Sequence, residues 1–200
     1  MTTSHDEESA DRVAIVTGGS RGAGRATVRR LVSRGYAVVV DYLHDQRAAE
    51  ATVEAILAGN GAAVAVRADV ADDVDVTRLF DEAIEAFGGV DVVVHTVGSR
   101  TGPTPTLIVN REAAHRLRTG GAIVTLTGSA ATEVLIRTLA LELRERDITV
   151  NGVWLAVDGP CAPNRIADVV AHLVGDEGHV LTGHLIRIDE FEALNLRRSP

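Results

Sequence analysis

The residues Thr17-Gly18-Gly19-Ser20-Arg21-Gly22-Ala23-Gly24 carry the clearest chemistry in this sequence. Glycines at these spacings let the main chain adopt positive φ and approach a bound group closely. A helix opening at the end of such a turn aims unpaired N–H groups, and the positive end of its dipole, at an anion. The apolar run Val13 to Thr17 leads into the turn and a helix-like segment begins at Ala23. That strand–turn–helix context turns a bare glycine string into the signature of pyrophosphate binding in a dinucleotide site.

Groups that could move a proton or attack a substrate are few. His95 lies at the carboxyl end of an apolar run, and an imidazole titrates in the useful range, so it is a candidate acid or base. Cys161 is the one cysteine; it has no internal disulfide partner and fits a reducing compartment. His172, His179 and His184 lack zinc-ligand spacing, so no metal site is expected. Every basic residue is arginine, which excludes any step that needs a lysine amine. The tyrosines are Tyr36 and Tyr42.

Seven apolar runs would carry these residues: Val13–Thr17, Ala37–Val40, Ala62–Val66, Val90–Val94, Ala122–Leu126, Ile148–Val153 and Leu185–Ile188. They are rich in Val and Ile and do not alternate with polar residues, the pattern of parallel strands covered on both faces. Helix-like segments fall between them at Ala23–Ser33, Arg47–Ala58, Val74–Phe87, Glu112–Arg118, Thr132–Arg146 and Arg165–Val174. Asp72 and Asp73 suit a helix start, and Gly59-Asn60-Gly61 and Gly88-Gly89 suit helix ends. The pattern predicts an α/β fold, a single Rossmann-type, doubly wound parallel sheet of about seven strands with helices on both faces. It would occupy residues 12–194, with an acidic tail at 1–11 and a short tail at 195–200. Ligands then belong beyond the carboxyl ends of the strands, where strand order reverses.

Composition narrows the function classes. The chain is 46% hydrophobic with a net charge of −8, a balance that suits a soluble globular protein and not a nucleic-acid surface. No apolar run approaches the roughly 20 residues that span a bilayer, and the amino-terminal segment does not read as a secretory signal. A cytoplasmic address is expected. The segment Thr132–Glu145 carries Val134, Leu135, Ile136, Leu139, Leu141 and Leu143, apolar around more of its circumference than one sheet face needs. It predicts a homo-oligomer contact.

Thr17, Gly18, Gly22 and Gly24 match the Thr-Gly-x-x-x-Gly-x-Gly turn of the short-chain dehydrogenase/reductase family, which the chain resembles almost end to end. Asp69-Val70 resembles the family's adenine-contacting pair. The segments Arg137–Leu143, Ile148–Gly152 and Leu181–Asp189 resemble its fifth helix, sixth strand and last strand. The resemblance implies a dinucleotide bound by Thr17, Gly18, Ser20, Arg21, Gly22, Ala23, Gly24, Tyr42, Asp69, Val70 and Gly98. Arg21 stands where members that use NADP place a basic residue, and guanidinium geometry suits a 2′-phosphate. Tyr42 stands where members that use NAD carry an acid, so NADP(H) is favoured over NAD(H). Asp41, one residue earlier, is the position that could reverse the choice.

The chain departs from the family in its catalytic part. Typical members use a serine and Tyr-x-x-x-Lys; spacing puts Gly128 in the serine's place and Ser129 in the lysine's. Asn-Asn-Ala-Gly is replaced by His95-Thr96-Val97-Gly98, and the stretch Ser99–Gly121 reads as too short for a full fourth helix, with Asn110 as a displaced remnant. Leu155-Ala156 replaces Pro-Gly, and the short Asp158–Pro163 link leaves no substrate lid. Ser129 and His95 are therefore the catalytic candidates. The resemblance implies an oxidoreductase fold without the usual carbonyl or alcohol chemistry; the alternative is a non-catalytic nucleotide-binding, scaffolding or regulatory subunit of an oligomer.

Overall fold

The computed structural model describes residues 12–97, 103–155 and 162–188. Gly98, Cys161, both predicted tails and most of the Asp158–Pro163 link lie outside the described residues. The chain alternates β1 (Arg12–Val16), α1 (Gly22–Val32), β2 (Tyr36–Tyr42), α2 (Gln46–Leu57), β3 (Ala63–Arg67), α3 (Asp73–Phe87) and β4 (Val92–Thr96). It continues with α4 (Thr104–Arg116), β5 (Ala122–Thr127), α5 (Ala131–Glu142), β6 (Thr149–Trp154), α6 (Pro163–Leu173) and β7 (Leu185–Arg187). All strand pairs are parallel, in the order β3-β2-β1-β4-β5-β6-β7. The predicted seven-stranded α/β sheet is thus present, and strand order reverses between β1 and β4.

Successive strand residues point to opposite faces, and here both faces are apolar. Ala14, Val16, Val38, Val40, Val94 and Leu126 pack under α1, α2 and α6. Ile15, Val39, Val93, Ile123 and Val150 pack under α3, α4 and α5 with Phe80 and Ile136. Capping follows the sequence closely. The Asp72 carboxylate accepts from the N–H groups of Val74 and Asp75 to start α3, and Gly88, at φ 79°, ends it. After α2 it is Asn60, at φ 59°, that takes the left-handed conformation.

Two expectations need correction. The stretch after β4 is long enough for a full helix: α4 runs Thr104–Arg116, 13 residues, where only Glu112–Arg118 was expected. Pro105, Thr106, Val109, Asn110 and Ala113 are its buried face, recurring at helical spacing although Thr, Ile and Val are poor helix formers. Burial against α3 and α5 outweighs propensity. The second correction concerns α5, which ends at Glu142 and passes into a 3₁₀ turn at Arg144–Arg146. Its Ile136, Leu139 and Leu143 belong to the core beneath it, whereas Val134 and Leu141 are 69% and 75% exposed. Among the described residues no helix is long and apolar enough to cross a membrane.

Candidate functional site

The carboxyl ends of β1 and β4 are joined by Thr17. Its N–H donates to Val94 O (2.9 Å), while its Oγ1 accepts from the Thr96 N–H (3.0 Å) and shares a hydrogen bond with His95 Nδ1 (2.9 Å). From this anchor the chain turns through Gly18 to Arg21 into α1. Gly22, at φ 52°, has nothing within 4 Å of where a Cβ would stand, so its exposed main chain is open to a ligand. Gly24 is required for the opposite reason: a Cβ there would lie 2.2 Å from Gly18 O. That close approach folds the turn back over the start of α1.

The start of α1 differs from those of α2 and α3, although α4, α5 and α6 likewise lack a side-chain cap. The carboxylates of Asp45 and Asp72 cap α2 and α3, whereas no side chain caps α1 and its first turn contains no acid. Its leading N–H groups therefore face the crevice at the point of strand reversal, an arrangement that favours a bound phosphate. Ser20 is buried behind the turn, Ala23 is half-buried, and Arg21 is exposed and ion-paired with Asp45.

Asp41 turns away from the crevice. It is 3% exposed, and its Oδ2 accepts from the Gly18 N–H at 3.2 Å. Its main-chain O accepts from the Gly19 N–H at 3.0 Å. A carboxylate held this way does not reach out from the strand end to ribose hydroxyls, whereas Tyr42, next along β2, is half-buried at the strand's end. Burial pushes the Asp41 carboxyl up to about 7, and its Oδ1 has no partner. Asp69 and Val70 lie half-buried in the β3–α3 link, where the Asp69 N–H donates to Asp75 Oδ2 (2.8 Å).

The catalytic candidates are not brought together. His95 is 1% exposed and faces the α3–α5 side of the sheet, with Nε2 lacking a partner; burial lowers its pKa to about 4, so the ring is neutral. Ser129 is exposed in the β5–α5 turn, where its N–H donates to Thr127 Oγ1 (3.0 Å). Tyr36 lies at the amino end of β2 and donates its hydroxyl to Val174 O (3.1 Å), at the end of the strands opposite the crevice. Asn110 is buried in α4, with its Nδ2 3.5 Å from Thr125 Oγ1. Two residues that were not among the expected cofactor contacts, Gly19 within the turn and Asp45 beyond it, help to shape the turn. Gly19 packs where a Cβ would be 2.9 Å from Val16 O, and Asp45 holds Arg21. The tight turn around Gly19 was readable in principle; the Asp45 contact spans 24 positions and left no local signal.

Among known families, residues 12–119 match the short chain dehydrogenases. The chain belongs to that family. Elsinochrome reductase 1 of Elsinoe fawcettii is 32% identical over 221 aligned positions, covering 91% of this chain and 79% of that one. That alignment is longer than the 200-residue chain itself, so it opens gaps in it. A short chain dehydrogenase from Burkholderia cenocepacia, solved in complex with NADP, superposes with a TM-score of 0.79 at 30% identity, covering 88% of this chain and 95% of that one. A blue fluorescent protein from a metagenomic library, solved in complex with NADPH, gives 0.77 at 27% identity, covering 88% and 96%. The short chain dehydrogenase fold therefore extends through the whole described sheet, beyond the residues of the family match.

Proposed function

We propose that this short chain dehydrogenase binds NADP(H) in the crevice between the carboxyl ends of β1 and β4, and that the subunit does not itself carry out the family's usual hydride transfer. The observation that carries the binding half is the uncapped start of α1 beneath an exposed, positive-φ glycine turn at the point of strand reversal. The residues present fit the dinucleotide. Gly18 and Gly22 expose main chain for the pyrophosphate, Arg21 offers a guanidinium to the 2′-phosphate, and Asp41 points inward and leaves the strand end without an acid facing the ribose. Asp69 and Val70 would flank the adenine. The bound nicotinamide supplies a hydride donor or acceptor; Ser129 and His95 offer no positioned proton beside it. The NADP and NADPH complexes of the two superposed structures support this choice of cofactor.

A third part of the reading is assembly. Val134 and Leu141 on α5 and Leu107 on α4 are large apolar side chains open to solvent, and they favour a nucleotide-binding subunit that pairs with a second copy through this face. A cytoplasmic, reducing setting belongs to the same proposal and rests on the single cysteine.

Titration with NADPH and NADH, followed by nicotinamide fluorescence and calorimetry, tests the binding half. NADPH is expected to bind more tightly than NADH. Gly22→Val, which forces a β-branched residue into a left-handed conformation on the ligand side, is expected to weaken NADPH by about tenfold or more. No binding of either dinucleotide at millimolar concentration sinks the proposal.

A further inference from the structure

Asp41 is a buried carboxyl built into the main-chain scaffold of the phosphate-binding turn. Its side chain receives the Gly18 N–H, its main-chain O receives the Gly19 N–H, and its second oxygen, Oδ1, is sealed from solvent without a partner. Gly18 is held at φ 63° directly above it. The Gly18 amide at 3.2 Å and weaker support from the Ala68 amide, with no cation, compensate a buried carboxylate poorly, so desolvation wins and the neutral acid is favoured.

The surroundings reinforce that preference. From the β3–α3 link and the start of α3, Asp69 and Asp75 add negative charge. Arg78 of α3 is taken up by Asp75, Glu82 and Arg67 O. Arg67, opposite Tyr42 in register, turns its Nε to Leu43 O. On the β1–α1 turn Arg21 is paired with Asp45, and His95, beyond Thr17, is uncharged. Among the described residues no cation forms an ion pair with Asp41.

We infer that Asp41 is a positioning residue whose protonation state sets the dinucleotide affinity of the turn: the neutral acid admits the pyrophosphate and the carboxylate repels it. This rests on the nucleotide-binding reading above and adds its regulation. A polyanion brought to the turn meets a second negative charge under Gly18 when Asp41 is ionised, in a setting with little water to screen it. Linkage then requires that binding favour uptake of a proton by Asp41 and that affinity fall as pH rises through the neutral range. The group titrates at about 7 before ligand arrives, which puts the change where it can be measured.

The experiment has an arm without ligand and an arm with it. In the free protein, the Asp41 carboxyl carbon and the Gly18 amide, followed by NMR from pH 5.5 to 8.5, are expected to move with one shared midpoint; in Asp41→Asn the Gly18 amide is expected to stay still. With NADPH, affinity is expected to fall about three- to tenfold across the same range relative to Asp41→Asn, which is close to isosteric with the neutral acid. Comparison with the variant cancels the titration of the ligand's own 2′-phosphate. A Gly18 amide that ignores pH in the unmodified protein overturns the inference even if the variant fails to fold. NADPH binding that is indifferent both to pH and to Asp41→Asn overturns the inference and leaves the nucleotide-binding reading standing; absence of NADPH binding at every pH overturns both.

Discussion

Arg21 and Asp45 meet across the mouth of the glycine turn, and an ion pair this exposed contributes little to stability, so its consequence lies in binding. A 2′-phosphate has to draw Arg21 away from Asp45. Asp45→Asn keeps an oxygen to cap α2 and removes the competing charge; it is expected to tighten NADPH about three- to tenfold and to leave NADH nearly unchanged. Arg21→Ala is expected to weaken NADPH by about 1.5–3 kcal/mol with little effect on NADH. Calorimetry with both cofactors decides, and equal effects on the two would remove the 2′-phosphate assignment. Buried titratable groups make a separate prediction about acid stability. The unfolded chain protonates His95 near 6.5 and the folded protein resists until about 4, so between those values stability falls as pH drops, by up to about 3 kcal/mol. Asp41 acts in reverse: the folded acid keeps its proton to about 7 and the unfolded one loses it near 3.8, so stability falls as pH rises through that window. The two offset each other between about pH 4.5 and 6.5. Urea unfolding at stepped pH is therefore expected to show His95→Asn gaining stability on acidification and Asp41→Asn losing it, relative to the unmodified protein; three parallel curves would contradict both assignments. The turn residues were legible because their types and spacing define them. The inward aim of Asp41 was not, because β2 is apolar on both faces and its pattern marks neither as the buried one.

α4 shows where element-level reading runs out. Thr104, Pro105, Thr106, Ile108, Val109 and Asn110 are poor helix formers, and the helix exists because Pro105, Val109 and Ala113 are buried on one face at four-residue intervals. The apolar breadth of α5 was legible, but its division into inner and outer faces was not. Leu139 and Leu143 lie in the core, so Leu139→Arg is expected to unfold the subunit because it buries an unpaired charge. Val134 and Leu141 are the informative positions. Light scattering is expected to give at least a dimer for the unmodified protein and a folded monomer for the double variant Val134→Arg, Leu141→Arg, with circular dichroism unchanged. A monomeric mass for the unmodified protein would eliminate the pairing through α5.

The parallel sheet with helices on both faces follows from alternating apolar strands and helices, which is why the architecture was the most legible level, whereas the strand order and its reversal between β1 and β4 are not fixed by that alternation alone. That same order now bears on catalysis. Reducing a carbonyl by hydride leaves an alkoxide that needs a proton, and a positioned acid contributes typically 10²–10⁴-fold to the rate. The chain contains no lysine, and Tyr36 faces the wrong end of the sheet. Tyr42 ends β2, which β1 and β4 separate from β5; at about 4.8 Å per strand spacing that is roughly 14 Å from the Gly128-Ser129 turn, well beyond the reach of a phenol. His95 is sealed beneath the sheet's α3–α5 face and uncharged near neutrality. The isolated chain is therefore expected to bind NADPH without oxidising it appreciably in the presence of aldehydes, ketones, quinones or β-ketoacyl thioesters, as followed by loss of nicotinamide absorbance. Turnover of about one per second or faster that disappears in His95→Ala and persists in Ser129→Ala would show that the buried imidazole becomes accessible and serves as the acid, and would restore a catalytic role to this subunit.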